Sequence, residues 1–292
     1  MTEHVVHVSE RSVAVHESGD PAGTPLIHFH GTPGSRLEAD FGSPLAERAG
    51  VRVIGFDRPG YGRSDAGPIS QDGIVRDVRA IADHLGVERF AVSAWSGGAA
   101  FALAAAAALP DRVTRAGVSG GLAPFERMPG ARDALNPNDL EALSHLPADP
   151  ARAAALFTAG NSGFLDAMLS VRDDEAAPWI DWMWASSDAA VIADPAARRA
   201  LFANFHEALR QGTDAIAWDN VAFVGPWDFR VEDVRAPVHL WYGDRDEIAP
   251  PVNGRWLAGH LREAHLTVYA GEGHLLPLAH WAEMLRVLTS AG

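Results

Sequence analysis

The chain has 292 residues, a formal net charge of −14, thirteen histidines and no cysteine. That length supports a large buried core, as one oversized domain or a domain with an insertion, and the lack of cysteine excludes disulfides and thiolate chemistry. The acidic balance argues against nucleic acid as a partner, since phosphate binding needs a clustered basic face; every basic residue is an arginine, which removes Schiff-base and Ser-Lys mechanisms.

The N-terminal "MTEHVVHVSE" has neither a basic n-region nor a sustained apolar h-region, and no long apolar run occurs elsewhere. The expectation is a cytoplasmic protein with no membrane span. "HVVHV" and "SVAVHE" alternate apolar and polar residues around the turn-like "SERS", which predicts an antiparallel hairpin with one wet face; His4, His7 and His16 lie on this hairpin, where surface or packing roles are expected. After "GDPAGTP" come "PLIHFH", "VRVIGFD", "RFAVSA" and "VTRAGVS", short and mostly apolar. Such runs fit strands covered on both faces. Between them, "SQDGIVRDVRAIADHLG" repeats Ile74, Val78, Ile81 and Leu85 at helical spacing, and Gly86 stops it. Strand and helix in alternation give the α/β class with a mostly parallel sheet flanked by helices.

From about Leu122 to Glu232 the alternation stops. Prolines at 124, 129, 137, 147, 150, 178 and 195 punctuate short helical patterns such as "DPAARRALFANFHEALRQG", which predicts a helical insertion over 122–232 within a core made of 1–121 and 233–292. The core pattern returns in "RAPVHLWYGD", "VNGRWLAGHL", "HLTVYA" and "PLAHWAEMLRVLT".

Two serines compete for a catalytic reading. "GVSGG" places Ser119 in a perfect G-x-S-x-G, whereas "AWSGG" around Ser96 begins with Ala94. A chain of this length matches three fixed positions by chance roughly one time in ten, so the match alone decides nothing. Context decides. A nucleophile needs a strand feeding a sharp turn into a helix, which lifts the hydroxyl out of the sheet and aims the first helical N–H groups at a developing oxyanion. Ser96 follows the strand "RFAVSA" and precedes the helix "AAFALAAAAALP", while Ser119 is followed by Pro124 and Pro129.

Candidate partners sit in loops at strand ends. "PLIHFHGTPGS" brings the Thr32 N–H to a position where it would join that of Gly97 around an oxyanion. "AGEGHLLP" places His274 in a glycine-bounded loop after a strand, where open α/β sheets build their sites; His28 reads as a core histidine and His30 as a residue that fixes its loop. "LWYGDRDEIAPP" offers Asp244 and Asp246 as the acid, giving the chain order serine, acid, histidine.

Together, "HFHGTPGS", "FDRPGYGRSD", "SAWSGGA", "YGDRDEIAP" and "GEGHLLP" make the chain resemble the α/β-hydrolase superfamily, in the cap-bearing branch that holds esterases, epoxide hydrolases, dehalogenases and proline iminopeptidases. The resemblance implies an α/β-hydrolase fold whose insertion is a helical cap, selects Asp246 over Asp244, and assigns the oxyanion positions to Thr32 and Gly97. Departures narrow the activity. Epoxide hydrolases and haloalkane dehalogenases of this fold carry an aspartate where Ser96 stands, and proline iminopeptidases usually read H-G-G-P-G where this chain has Thr32.

The expected activity is that of a serine hydrolase acting on an ester or related acyl bond of an apolar small molecule, with no metal or organic cofactor. A cofactor-free perhydrolase, a lyase or cyclase of secondary metabolism using His274 as a general base, and a non-catalytic binder are the alternatives on the same scaffold. Of nine tryptophans, Trp179, Trp182, Trp184, Trp218 and Trp227 fall in the insertion and Trp95 precedes the nucleophile. Trp95, Trp182 and Trp227 are the candidates for substrate contact. The oligomeric state is not readable from the sequence.

Overall fold

Alternating polarity at the N-terminus folds into a hairpin. In the computed structural model, which describes residues 2–170 and 186–290, β1 (Thr2–Val8) and β2 (Arg11–Gly19) pair antiparallel with Val8 opposite Arg11. One histidine departs from the expected wet face. His16 is only 4% exposed, because Asp40 and Glu3 close over its ring, Nε2 lying 2.9 Å from Asp40 Oδ1 and Nδ1 2.8 Å from Glu3 Oε1. Burial lowers its pKa, but the bonds and charges of Asp40 and Glu3 outweigh burial and raise it above the ordinary histidine value.

The apolar runs become β3 (Thr24–Phe29), β4 (Val51–Phe56), β5 (Phe90–Trp95), β6 (Val113–Ser119), β7 (Val238–Gly243) and β8 (Ala264–Tyr269). They form one eight-stranded sheet in the order β1-β2-β4-β3-β5-β6-β7-β8. β2 meets β4 antiparallel, and every pairing from β4 to β8 is parallel. β5 lies centrally and every one of its residues is buried, whereas the edge strand β8 stays half-exposed.

Helices fill the connections. α1 (Ser43–Arg48), α2 (Gln71–His84) and α3 (Gly98–Ala108) precede β6. Between β6 and β7 come α4 (Pro137–Ser144), α5 (Pro150–Gly160), α6 (Ser162–Ser170), α7 (Ala189–Ala193), α8 (Pro195–Ala208) and α9 (Asp214–Val224), and no strand interrupts them among the described residues. α10 (Val252–His260) and α11 (Leu276–Thr289) complete the core. Boundaries follow side-chain chemistry: the Ser70 hydroxyl caps α2 by accepting from Gly73 N, and the Asp194 carboxylate caps α8 by accepting from Ala196 N, each worth about 1 kcal/mol.

α1 and α11 bury Ala46, Trp281, Leu285 and Leu288 against one face of the sheet. α2, α3 and α10 cover the other. α3 is apolar on all sides and buried from Gly98 to Ala106, as expected of a helix enclosed by the core. Among the described residues, no helix is long and apolar enough to cross a membrane.

Candidate active site

β5 delivers its last residue, Trp95, directly into a turn at Ser96 and then into α3. Ser96 takes φ = +53°, a conformation that costs a non-glycine residue about 1–3 kcal/mol and persists only where the surroundings enforce it. Two backbone bonds enforce it here: Ser96 N–H donates to Ser119 O at 2.9 Å, and Ser96 O accepts from Ala99 N–H at 3.0 Å. The sequence suggests that Gly97 and Gly98 make the turn by their freedom of φ, but Gly97 is ordinary at −56°. These glycines are needed for room. A methyl on Gly98 would lie 2.4 Å from Phe29 O, and one on Gly97 would lie 2.6 Å from Thr32 Oγ1.

The two loops at the ends of β7 and β8 meet the elbow. His274 Nδ1 lies 2.7 Å from Asp246 Oδ2, and both side chains are buried. Asp246 Oδ1 accepts from the N–H groups of Ile248 and Ala249 at 2.9 and 2.8 Å, so the carboxylate has one orientation. A carboxylate only accepts, so Nδ1 is the donor in this bond. Asp244 is half-exposed and accepts from Gly271 N–H at 2.7 Å, joining the two loops away from the imidazole. Gly120, at φ +54°, packs under the ring: a methyl there would lie 3.0 Å from His274 Cε1 and Nδ1 and 3.2 Å from Asp246 Oδ2. Ser96 and His274 therefore approach the same short stretch, Ser119–Gly120. Ser119 itself points into the core, where its Oγ is buried and, among the described residues, has no hydrogen-bond partner.

His30 and its loop lie on the other side of the elbow. Arg58 is fully buried and donates to the carbonyl oxygens of His30 at 2.6 Å and Gly31 at 2.9 Å. His30 Nδ1 donates to Gly31 O at 2.8 Å, and its Nε2 accepts from Arg58 N–H at 3.2 Å. Burial and the Arg58 charge push the His30 pKa well below its ordinary value, so the ring is a neutral strut. Glu38 completes the loop by accepting from Gly31 N–H. Among the described residues, neither the Thr32 N–H nor the Gly97 N–H donates to a protein acceptor.

The insertion reaches this machinery through polar side chains that the sequence reading did not single out. Asp219 on α9 accepts from Arg58, Tyr61 and Thr32, and Asn204 on α8 accepts from Ser35. Glu207 on α8 accepts from Arg36. Asp188, buried just before α7, accepts from the backbone N–H groups of His274 and Leu275 at 2.8 and 3.0 Å, and burial raises its pKa. Asp219 carries a visible signal: it is the single charge within the apolar stretch "AIAWDNVAFV". Its partners, more than 150 residues away, leave none.

Apolar groups line the insertion side. Phe223 sits within reach of Gly97 and clusters with Ala100, Leu143 and Val224, against which Leu122, Phe125 and Trp227 pack. Trp227 donates its Nε1 to Phe223 O at 2.9 Å. Trp95 is 3% exposed, donates Nε1 to His274 O at 3.0 Å, and packs with Phe41, Phe202 and Phe205. Trp182 lies outside the described residues. No group of three or more His, Cys, Asp or Glu is placed to hold a metal ion among the described residues.

This sheet order, with a strand-to-helix elbow, an Asp–His pair on later loops and a helical insertion after β6, defines an α/β-hydrolase fold. Residues 24–280 match the family described as the alpha/beta hydrolase fold, and the chain belongs to it. Among curated relatives, a proline iminopeptidase of Neisseria gonorrhoeae is 32% identical over 104 residues, a segment covering 33% of this chain and 32% of that one. The chain thus matches about a third of that relative's length. Among solved structures, a hydrolase from Pseudomonas aeruginosa PA01 superposes with a TM-score of 0.71 at 19% identity, covering 99% of each chain. A bromoperoxidase from Bacillus anthracis reaches the same TM-score at 19% identity with 98% of each chain covered. An esterase from Rhodococcus sp. ECU1013 gives 0.67 at 20% identity over the full length of both.

Proposed function

We propose that the protein is a serine hydrolase of carboxylic esters, with Ser96 as nucleophile, His274 as general base and Asp246 as the group that holds the imidazole. The observation that carries the reading is the strained Ser96 at φ +53°, bonded through its N–H to Ser119 O, next to the Gly120 against which packs a buried imidazole whose Nδ1 is bonded to a carboxylate at 2.7 Å. In this reading Ser96 Oγ attacks the acyl carbon while His274 Nε2 takes its proton. The N–H groups of Thr32 and Gly97 receive the negative oxygen of the tetrahedral intermediate. His274 then protonates the departing alkoxide, and a water deprotonated by the same ring releases the acid and restores Ser96. The insertion acts as a cap, and Phe223, Trp227 and the neighbouring aliphatic groups favour an apolar acyl group. Trp95, its ring centroid 5.5 Å from that of His274, stands behind the imidazole as the adjoining wall.

The test has two arms. A fluorophosphonate probe is expected to modify Ser96, identified by peptide mass, and to leave Ser119 untouched; a folded, unlabelled sample would refute the acyl-enzyme. A panel of p-nitrophenyl esters from acetate to decanoate is expected to peak at medium chain length, whereas activity falling steadily from acetate would refute the apolar pocket. Proline p-nitroanilide is expected to be a poor substrate, because Thr32 stands where the iminopeptidase loop has glycine.

A further inference from the structure

Asp219 has an unusual position for a carboxylate. It is fully buried, it belongs to the insertion rather than the core, and it accepts four side-chain hydrogen bonds: from Arg58 Nε at 2.8 Å, from Arg58 Nη2, from Tyr61 OH at 2.8 Å and from Thr32 Oγ1 at 2.6 Å. Arg58, held at that end, spends its remaining donors on the core. Its Nη1 bonds His30 O and its Nη2 bonds Gly31 O.

The geometry of one peptide unit turns these contacts into a directional device. The Gly31–Thr32 peptide is trans, so its C=O and N–H point in opposite directions within one plane. Its carbonyl is fixed toward Arg58 Nη2 and His30 Nδ1, which fixes the Thr32 N–H on the side away from Arg58. The Thr32 side chain is pinned from the same place, and Gly97 packs directly against its hydroxyl.

We propose that Asp219 is a positioning residue for the oxyanion donors: through Arg58 and the Thr32 hydroxyl, the insertion helix α9 aims the Thr32 N–H at the oxygen that becomes negative during acyl transfer. This rests on the serine-hydrolase reading of the same site. Asp219 touches no reacting atom; it acts by holding the groups that do. The consequence is that the insertion completes the catalytic core, instead of only enclosing the substrate.

Asp219→Asn is the discriminating change. Asparagine keeps the shape but presents an NH2 group where only donors converge, so at least one face of the four-bond arrangement must open. The expected result is a loss of roughly 10²-fold in kcat per active site, in the range seen when an oxyanion donor is lost, with KM changed only a few-fold. Active sites are counted by fluorophosphonate titration, which removes any effect of a smaller folded fraction. Affinity for an alkyl boronic acid, whose tetrahedral adduct needs the oxyanion donors, is expected to fall in parallel with kcat, while affinity for a non-covalent carboxylate product stays within a few-fold. If Asp219→Asn does not fold, the pair Thr32→Val and Thr32→Ser decides: Val, which loses the bond to Asp219, is expected to lower kcat about tenfold or more, and Ser, which keeps it, to restore most of it. Normal kcat and boronate affinity in Asp219→Asn, or equal activity in the two Thr32 variants, would overturn the proposal while leaving Ser96 as the nucleophile. Failure of the wild-type protein to label at Ser96 would overturn the underlying reading and this one with it.

Discussion

Replacing Gly120 by alanine tests the site through a single methyl. Two costs are separable. The first is conformational: at φ +54° an L-residue is disfavoured by about 1–2 kcal/mol, which in a protein of this size lowers Tm by roughly 2–6 °C. The second is steric. The new methyl would stand 3.0 Å from His274 Cε1 and Nδ1 and 3.2 Å from Asp246 Oδ2, inside ordinary van der Waals separation, so the ring or the backbone must give by a few tenths of an ångström. The ring has little freedom to do so, because its Nδ1 is tied to Asp246 and its backbone N–H and C=O to Asp188 and Trp95. In the proposed mechanism His274 takes the proton of Ser96, and misplacement of such a base on the ångström scale costs up to about 10²-fold. The expected outcome is a 10- to 100-fold fall in kcat on a p-nitrophenyl ester, measured beside a thermal melt of the same sample. A melt lowered as expected, with kcat unchanged, would refute the placement of His274 as the reacting imidazole.

Other outcomes follow from the same contacts. Ser96→Ala is expected to lower kcat by about 10⁶-fold, while Ser119→Ala keeps activity and holds or raises Tm in a thermal melt, because it deletes a buried hydroxyl that has no partner among the described residues. Asp246→Asn is expected to cost about 10⁴-fold in kcat and Asp244→Asn less than tenfold; steady-state kinetics with the order reversed would show that the acid is Asp244. The His16 pKa is raised in the folded protein, so its contribution to stability is complete below the ordinary histidine value and is lost as pH rises through the folded one. Tm of the wild type is therefore expected to fall relative to His16→Gln as pH climbs from about 6.5, and parallel Tm curves would contradict the Asp40–His16–Glu3 pairing.

What was legible in the sequence was whatever depends on near neighbours. The elbow at Ser96 could be chosen over the better-spelled Ser119 because a strand and an uninterrupted helix flank it within twenty residues, and the same local logic found the hairpin, α2 and the mainly helical insertion. The two glycines after Ser96 suggest a backbone freed to turn, but the turn is made by Ser96 itself, and Gly97 and Gly98 clear space for Thr32 and for the end of β3. His16 looked solvent-facing because a hairpin's alternation says nothing of a later segment folding over it, and Asp40 arrives from the short helical turn at Arg36–Asp40. Asp188, Asn204, Glu207 and Asp219 were illegible as a set for a related reason. Polar residues in helices usually face water, and only the folded chain reveals that these face the loops of the core.

Those four side chains limit how the protein can be recombined. A helical insertion grafted from a relative would bring its own shape and its own substrate preference, yet without an acceptor at the place of Asp219 it would strand the Arg58 guanidinium, which is wholly enclosed. Leaving one member of a buried ion pair alone costs about 3–5 kcal/mol, a large share of the 5–15 kcal/mol by which folded domains usually exceed their unfolded chains. Exchange of insertions among relatives should therefore succeed when Arg58 and its acceptor travel together, so that the two residues behave as one heritable unit although 161 positions separate them in the chain.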